Sequence, residues 1–510
     1  MVAIRCSKFS RCCAQIAASL LLVVMIGPAL LFGGDSEHNS RPNVVIFLVD
    51  DLGSADVGFA GGTEIPTPSI DRLANQGAIL DQFYVMHVCS PTRAALMTGR
   101  YPIRYGLQTG VIRPDWAYGL SLEERLLSNV FRDSGYATAI FGKWHLGMFT
   151  RDYLPTRRGF DFQYGNYCGA IDCFTKMRQG GYDWHRNDKV AREEGYSTEQ
   201  LAEEAVAWVN GLEKGKPFLM YVPFNAVHAP LQAPERYRTQ FANLKGSRGQ
   251  YAAMLSAVDE AIGKVTDAID QLRGSDSTIY IFSTDNGGPA PGKTTSNGSL
   301  RSGKGTLYEG GVRSCAFISW KGHIVAGSHI REPLHVVDIL PTLAEMAGIE
   351  LKSVLPLDGL DFSPLLENSV SETERRRFSE ERPVLINAEA HRGALRLGSW
   401  KLLVKRPGVS DSDSADESAG REQVKQSDSA GEIVPDKNDR ATERDGLVVE
   451  LYDLSNDPGE NKDLASIEMT KCEELLGHYR KLESQAKPAL ATSKKTILKT
   501  PKVWGEWPER

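Results

Sequence analysis

Four apolar runs, Val44–Val49, Ala137–Phe141, Phe218–Val222 and Ile279–Phe282, punctuate the chain, and amphipathic stretches separate them. Runs that are apolar at nearly every position read as strands buried on both faces. Their alternation with helical patterns predicts an α/β fold, a large mixed, mostly parallel sheet sandwiched by helices. The clearest helical stripe is Tyr251, Leu255, Val258, Ile262, Val265, Ile269 and Leu272, whose spacing of four and three marks one core-facing side. Ser197 with Gln200 has the spacing of a capping box for the helix before it.

With 510 residues the chain is too long for one simple core. The texture changes near residue 380, which divides it into a catalytic-sized domain, 41–380, and a smaller C-terminal part, 381–510. In the latter, Ala394–Val404 and Leu447–Leu454 read as strands of a small antiparallel sheet, with a packed helix near Glu468–Gln485. The acidic, serine-rich segment 408–446 has no aromatics and reads as a disordered surface loop.

The N-terminus reads as a secretory signal. Arg5, Lys8 and Arg11 precede an uncharged stretch from Cys12 to Gly34, so residues 1–34 are set aside. Export to a bacterial envelope or the exterior follows, with membrane attachment only if that segment stays uncleaved. Beyond it lie Cys89, Cys168, Cys173, Cys315 and Cys472, an odd number, so at least one thiol is unpaired or modified. Cys168 and Cys173 are near enough in sequence to bridge a loop, though spacing alone does not decide it. Asn297 heads the one glycosylation sequon, but it sits among site motifs and reads as unglycosylated. The net charge of −6 leaves no basic footprint for nucleic acid. An acidic chain that binds an anion must gather its positive charge locally.

Polar residues follow each apolar run. Asp50 and Asp51 follow the first, Lys143 and His145 the second, His228 the third, and Asp285 and Asn286 the fourth. In parallel α/β sheets, ligands bind beyond the carboxyl ends of the strands, so these side chains share one rim. Asp50, Asp51, Asp285 and Asn286 offer only oxygen, which suits Ca²⁺ or Mg²⁺ rather than zinc or copper. Cys89 opens a segment, Cys-Ser-Pro-Thr-Arg, whose Pro91 suits the first turn of a helix. Cys89 then stands at a helix N-terminus, where free N–H groups favour an anion.

The stretch CSPTRAALMTGR, Cys89 to Arg100, resembles the sulfatase signature C-x-P-x-R-x4-T-G-R at every fixed position. GYATAIFGKWHLG, Gly135 to Gly147, resembles the second signature of the same family. The likeness runs from about Pro42 to LYDLSNDPGEN, Leu451 to Asn461, and is most like the arylsulfatase B type, which acts on N-acetylgalactosamine 4-sulfate units of glycosaminoglycans. HLGMFTRDYLPTRRGFD from His145 and LYEGGVR from Leu307 support that subtype.

The resemblance implies a sulfuric ester hydrolase in which a maturation enzyme converts Cys89 to formylglycine (3-oxoalanine). It implies Asp50, Asp51, Asp285 and Asn286 as Ca²⁺ ligands, joined by the modified Cys89. It assigns Arg93 to the hydrated aldehyde, Lys143 and Lys304 to sulfate oxygens, and His228 with Lys304 to the departing alcohol. His145 becomes the base that takes a proton from the aldehyde hydrate. The substrate is a sulfated glycan or a small sulfate ester. The loop Tyr164–Lys176 and His391 are expected near the sugar. Fewer cysteines than animal lysosomal members carry, and the acidic insertion, argue against a lysosomal address. The rival readings are a phosphodiester or phosphonate hydrolase of the wider alkaline-phosphatase superfamily, an inactive glycan-binding homologue, and a cysteine hydrolase.

Overall fold

The computed structural model describes residues 41–352, 355–367, 370–389, 392–407, 442–444, 446–492 and 498–506. The expected signal segment, His391 and residues 408–441 lie outside these. Five parallel strands form the centre of the main sheet: β1 (Asn43–Val49), β2 (Ala137–Phe141), β3 (Phe162–Gly165), β4 (Phe218–Pro223) and β5 (Thr278–Thr284). Their spatial order is β5-β1-β4-β2-β3. Short strands flank them on both sides, some antiparallel, and bring the sheet to ten strands among the described residues. The expected mixed, mostly parallel sheet is therefore observed. β3 was not among the apolar runs.

Side-chain alternation along β1 explains the layering. Val44, Ile46 and Leu48 enter one core, and Val45, Phe47 and Val49 enter the other. A strand whose two faces are both covered must be apolar at every position. Helix α1 (Cys89–Thr98) packs into the first core, and α2 (Ser197–Asn210) and α3 (Gly246–Arg273) into the second. The α3 stripe is buried from Tyr251 to Ile269, but Leu272 is exposed, because the last turn runs past the edge of the core. The capping box at Ser197 is not formed. Ser197 is already inside α2, its N-cap is Tyr196 without a side-chain cap, and the Gln200 amide turns back to the Glu194 carbonyl.

The C-terminal sheet is antiparallel, as expected, in the order β6 (Val384–Ala388), β7 (Arg392–Leu397), β8 (Trp400–Lys405), β10 (Leu447–Asp453), β9 (Thr442–Arg444). Two expectations need correction. Ala394–Val404 is a hairpin rather than one strand, turning at Gly398 with φ 61°, a left-handed value that favours glycine. The end of the acidic segment is not loop, because Thr442–Arg444 pairs with β10. Helix α4 (Met469–Glu483) lies against this sheet, so closely that a Cβ on Gly393 would fall 2.2 Å from the Tyr479 hydroxyl. Leu385, Leu395 and Leu402 belong to the same core as α1, so one apolar cluster continues across residue 380.

A buried ionic network fastens the C-terminal sheet to the segment beside the rim. Lys401 on β8 is fully buried, 2.9 Å from Glu309 and 2.8 Å from Glu460. Arg301 donates to the Glu460 carbonyl at 2.7 Å and to the Tyr452 hydroxyl at 3.0 Å. Segment 301–309 is thereby held from below. Replacing Lys401 by Met removes the positive charge that bridges the buried carboxylates of Glu309 and Glu460. Lys401→Met is expected to destabilise the protein by about 3–5 kcal/mol in urea unfolding. An unchanged midpoint and slope would contradict this role for the network.

Candidate active site

The rim residues do converge. β5, β1, β4 and β2 are neighbours, and each delivers its polar residues just past its carboxyl end. One ligand atom each from Asp50, Asp51, Cys89 and Asp285 lies within 4.8 Å of the others, all buried. Asn286 joins them through its amide, which donates to Asp51 at 2.8 Å, while its oxygen accepts from Cys89 Sγ at 3.6 Å. These are the groups that could hold a metal ion.

Three cations surround the carboxylates. Arg93 donates from Nη2 and Nε to one oxygen of Asp285, at 2.7 and 3.2 Å, and reaches Asp50 at 3.5 Å. Lys143 pairs with Asp50. Lys304 pairs with Asp51 at 2.6 Å and stands 3.8 Å from Cys89 Sγ. His228 Nε2 lies 3.6 Å from the second Asp51 oxygen. Every sequence-predicted site residue other than His145 thus touches another member of the set directly.

Local sequence explains the placement. Gly142 in GKWHLG has φ 133°, and a Cβ there would lie 2.0 Å from the Pro223 carbonyl oxygen. Only glycine lets β2 leave the sheet so close to β4 and turn Lys143 into the site. Asp51 and His145 adopt φ 60° and 57° without being glycine. Such strain concentrates where side chains must be aimed. Pro91 occupies the first turn of α1, and Cys89 is its first residue, as expected.

Electrostatics follow from burial. Burial pushes the Asp50 carboxyl up to about 7, Asp285 adds to the rise, and Lys143 and Arg93 oppose it. Burial also works to raise Asp51, but Lys304 and His228 overcome it and hold the carboxyl below its usual range. Burial pushes the Cys89 thiol well up, with Asp285 and Asp50 reinforcing it. An unmodified Cys89 is therefore a poor thiolate nucleophile, which weighs against the cysteine hydrolase reading. Burial pushes His228 down to about 3, against the pull of Asp51.

His145 is set by its neighbours. Its Nε2 lies 3.1 Å from the Ile112 carbonyl, so that nitrogen carries the proton and donates. Nδ1 is buried without a partner and presents a free lone pair. Ser90, next to Cys89, accepts from the Ile112 N–H at 3.0 Å and donates to the His145 carbonyl at 3.0 Å. Gly169 lies flat against the ring, where a Cβ would come 2.4 Å from Nε2. Ser90, Ile112 and Gly169 were not singled out in the sequence. Only the position of Ser90 inside the first signature hinted at a role.

Cys168 and Cys173 are both free thiols. Asn297 is buried, and its amide bonds Ser54, Gly288 and Ser302, which leaves no room for a glycan.

A family model for sulfatases matches residues 42–349. Arylsulfatase J of Mus musculus is 32% identical across 92% of this chain and 80% of its own length. The chain belongs to the sulfatase family. It is accordingly a sulfuric ester hydrolase. Arylsulfatase A of Homo sapiens is 33% identical over 88% of this chain and 86% of its own length. N-acetylgalactosamine-6-sulfatase of Mus musculus is 33% identical over 69% of this chain and 70% of its own length. The crystal structure of Ps i-CgsB in complex with k-i-k-neocarrahexaose superposes with a TM-score of 0.75 at 29% identity, covering 88% of this chain and 94% of that one. These relatives do not single out the arylsulfatase B type.

Ser90→Ala removes the two bonds by which Ser90 bridges the Ile112 N–H and the His145 carbonyl, leaving both buried groups unpaired and His145 held to Ile112 by its ring alone. Such a loss costs about 1–3 kcal/mol. The expected outcome is a fall in kcat of about tenfold or more on an aryl sulfate. A wild-type kcat in the variant would contradict the clamp.

Proposed function

We propose that this sulfatase removes sulfate from a sulfated carbohydrate, with Cys89 matured to formylglycine and Ca²⁺ held by Asp50, Asp51, Asp285 and Asn286. The observation that carries the reading is the meeting of three buried carboxylates, a cysteine in the first turn of a helix and three cations beyond the ends of four adjacent strands. The donor set fits a hard divalent cation: it is almost all oxygen, and maturation replaces the one sulfur by oxygen. A divalent ion would also offset the mutual repulsion that raises Asp50.

A divalent cation held by Asp50, Asp51, Asp285 and Asn286 would neutralise the carboxylates and supply Lewis-acid polarisation to a sulfate ester. The aldehyde supplies, as its hydrate, one hydroxyl to attack sulfur and a second that can lose a proton. The chain's own residues do the rest. With all three carboxylates ionised, their −3 is matched by the +3 of Arg93, Lys143 and Lys304, so two further positive charges would leave a site suited to an anion. Lys143 and Lys304 are placed to bind sulfate oxygens, and Lys304 with His228 to receive the charge of the departing alcohol. His145 takes the proton through its free Nδ1.

The carbohydrate part of the reading is supported by one relative named for N-acetylgalactosamine 6-sulfatase action and by the oligosaccharide held in the Ps i-CgsB structure. The relatives reported carry 6-sulfatase and arylsulfatase names, so the proposal takes the sugar class and not the 4-position. Export is supported by the charged and apolar N-terminal pattern. Among the described residues no helix is long and apolar enough to cross a membrane. A formylglycine-generating maturation enzyme is then the required partner.

The fold also resembles the phosphonate monoester hydrolase of Agrobacterium radiobacter, with a TM-score of 0.56 at 18% identity over 87% of this chain and 95% of that one. Turnover of an aryl sulfate and an aryl phosphate, before and after chelation by EGTA, separates the readings. The expected result is a preference for sulfate of at least about tenfold, lost with EGTA and restored by Ca²⁺. A preference for phosphate, or chelator-independent turnover by metal-free enzyme, would overturn the proposal.

A further inference from the structure

The backbone beyond Gly169 folds back on itself. The Asp172 N–H donates to the Met177 carbonyl at 3.0 Å, and the Lys176 N–H to the Asp172 carbonyl at 2.9 Å. The buried Lys176 ammonium locks the turn by donating to the Cys173 and Phe174 carbonyls at 3.2 and 3.1 Å. The chain therefore returns to Asp172 at Met177, just before Arg178, and Asp172 lies three residues from the glycine that touches the His145 ring. Met177 and Arg178 form a two-residue strand paired with Gly181–Tyr182. Neighbouring side chains of a strand point to opposite sides. Met177 faces solvent at 37% exposure and Arg178 turns inward, partly buried. Trp504 fixes the position by donating to the Arg178 carbonyl at 2.8 Å.

The guanidinium at that place has nothing to hold. Its Nε is buried without an acceptor, and among the described residues it makes no ion pair. By contrast, Arg93 is paired with Asp285, Arg158 donates to the carbonyls of Leu120, Ser121 and Glu124, Arg186 is paired with Glu193 and Glu204, and Arg392, though one of its nitrogens is unpartnered, holds Glu389 and the Gly305 carbonyl. Leaving a buried cationic donor unpaired is unfavourable unless a ligand completes it. Arg178 is near enough to His145 and Cys168 for its positive charge to act on both, beside the burial that dominates there, in keeping with the turn that brings the chain back toward Gly169. Among the described residues it pairs with none of Asp50, Asp51 and Asp285, unlike Arg93, Lys143 and Lys304, so it is free for a group other than the sulfate being cleaved.

We propose that Arg178 is a specificity-determining residue that binds a second anionic group of the glycan, a carboxylate or a further sulfate, beside the scissile ester. The planar fork of an arginine suits either group through two parallel N–H···O bonds. The inference rests on the carbohydrate reading above. It makes this a sulfatase for polyanionic sugar chains rather than for isolated sulfate esters.

The test compares Arg178→Gln, Arg178→Lys and wild type on four substrates. These are a sulfated N-acetylgalactosamine–hexuronate disaccharide, its carboxyl-reduced counterpart, the carboxyl-reduced disaccharide with a second sulfate, and an aryl sulfate. The reading is the ratio of kcat/KM on each anionic disaccharide to that on the singly sulfated, carboxyl-reduced one. In Arg178→Gln the ratio should fall by about tenfold or more, chiefly through KM, with Arg178→Lys recovering part of it. A fall confined to the uronate identifies the carboxylate as the partner, and one confined to the disulfated sugar identifies the sulfate. An unchanged ratio, or an equal loss on all four substrates, would overturn the assignment, the latter marking a structural role. Wild-type enzyme that cleaves the aryl sulfate but no disaccharide would instead overturn the carbohydrate reading and this proposal with it.

Discussion

Asp50, Asp51 and Asp285 are buried together at the carboxyl edge of one sheet, and the arrangement persists only because positive charge is built in around them. Two like charges 4 Å apart repel by about 4 kcal/mol at an effective dielectric of 20. Arg93, Lys143 and Lys304 arrive from three different elements to meet that repulsion: the helix begun by Cys89, the loop after β2, and the segment braced by the C-terminal sheet. Each cation is also a group that the proposed chemistry uses. The same pairs that let the carboxylates fold together therefore present positive charge to an anionic ester.

The rest of the molecule reads as support for that cluster. Two apolar cores grip the central strands from both sides, so the strand ends cannot shift independently. The C-terminal sheet contributes no residue to the carboxylate cluster, yet Lys401, Glu309 and Glu460 bind it to the segment that carries Lys304. Arg392 on β7 adds a bond to the Gly305 carbonyl at 2.9 Å, next to Lys304 itself. Ser90 plays the same part for His145.

Much of this was legible in the sequence because the fold puts chemistry directly after apolar runs. Asp50, Lys143, His228 and Asp285 could be gathered on one rim from strand ends alone. Lys304 could not, since it follows no strand; only family resemblance pointed to it. β3 escaped because FQYG is short and mixes polar residues with apolar ones. Leu272 was misplaced because periodicity does not show where a core ends, and Ser197 because a capping box was read one residue inside the helix. The Gly398 hairpin hid inside an apolar run whose turn is only two residues, Gly398 and Ser399. Ser90 and Arg178 were silent for a different reason. Their roles depend on neighbours such as Ile112, His145 and Trp504 that are distant in sequence, and their residue types carry no motif of their own.

The cluster has its purpose only if residue 89 becomes an oxygen-bearing electrophile, since the buried thiol beside two carboxylates is held protonated. Peptide mass spectrometry across position 89, on enzyme co-expressed with a maturation enzyme, reads that conversion directly. Sulfate release by the same preparations should rise in proportion to the formylglycine fraction and vanish in its absence. Full activity from protein whose position 89 remains an intact cysteine would contradict it.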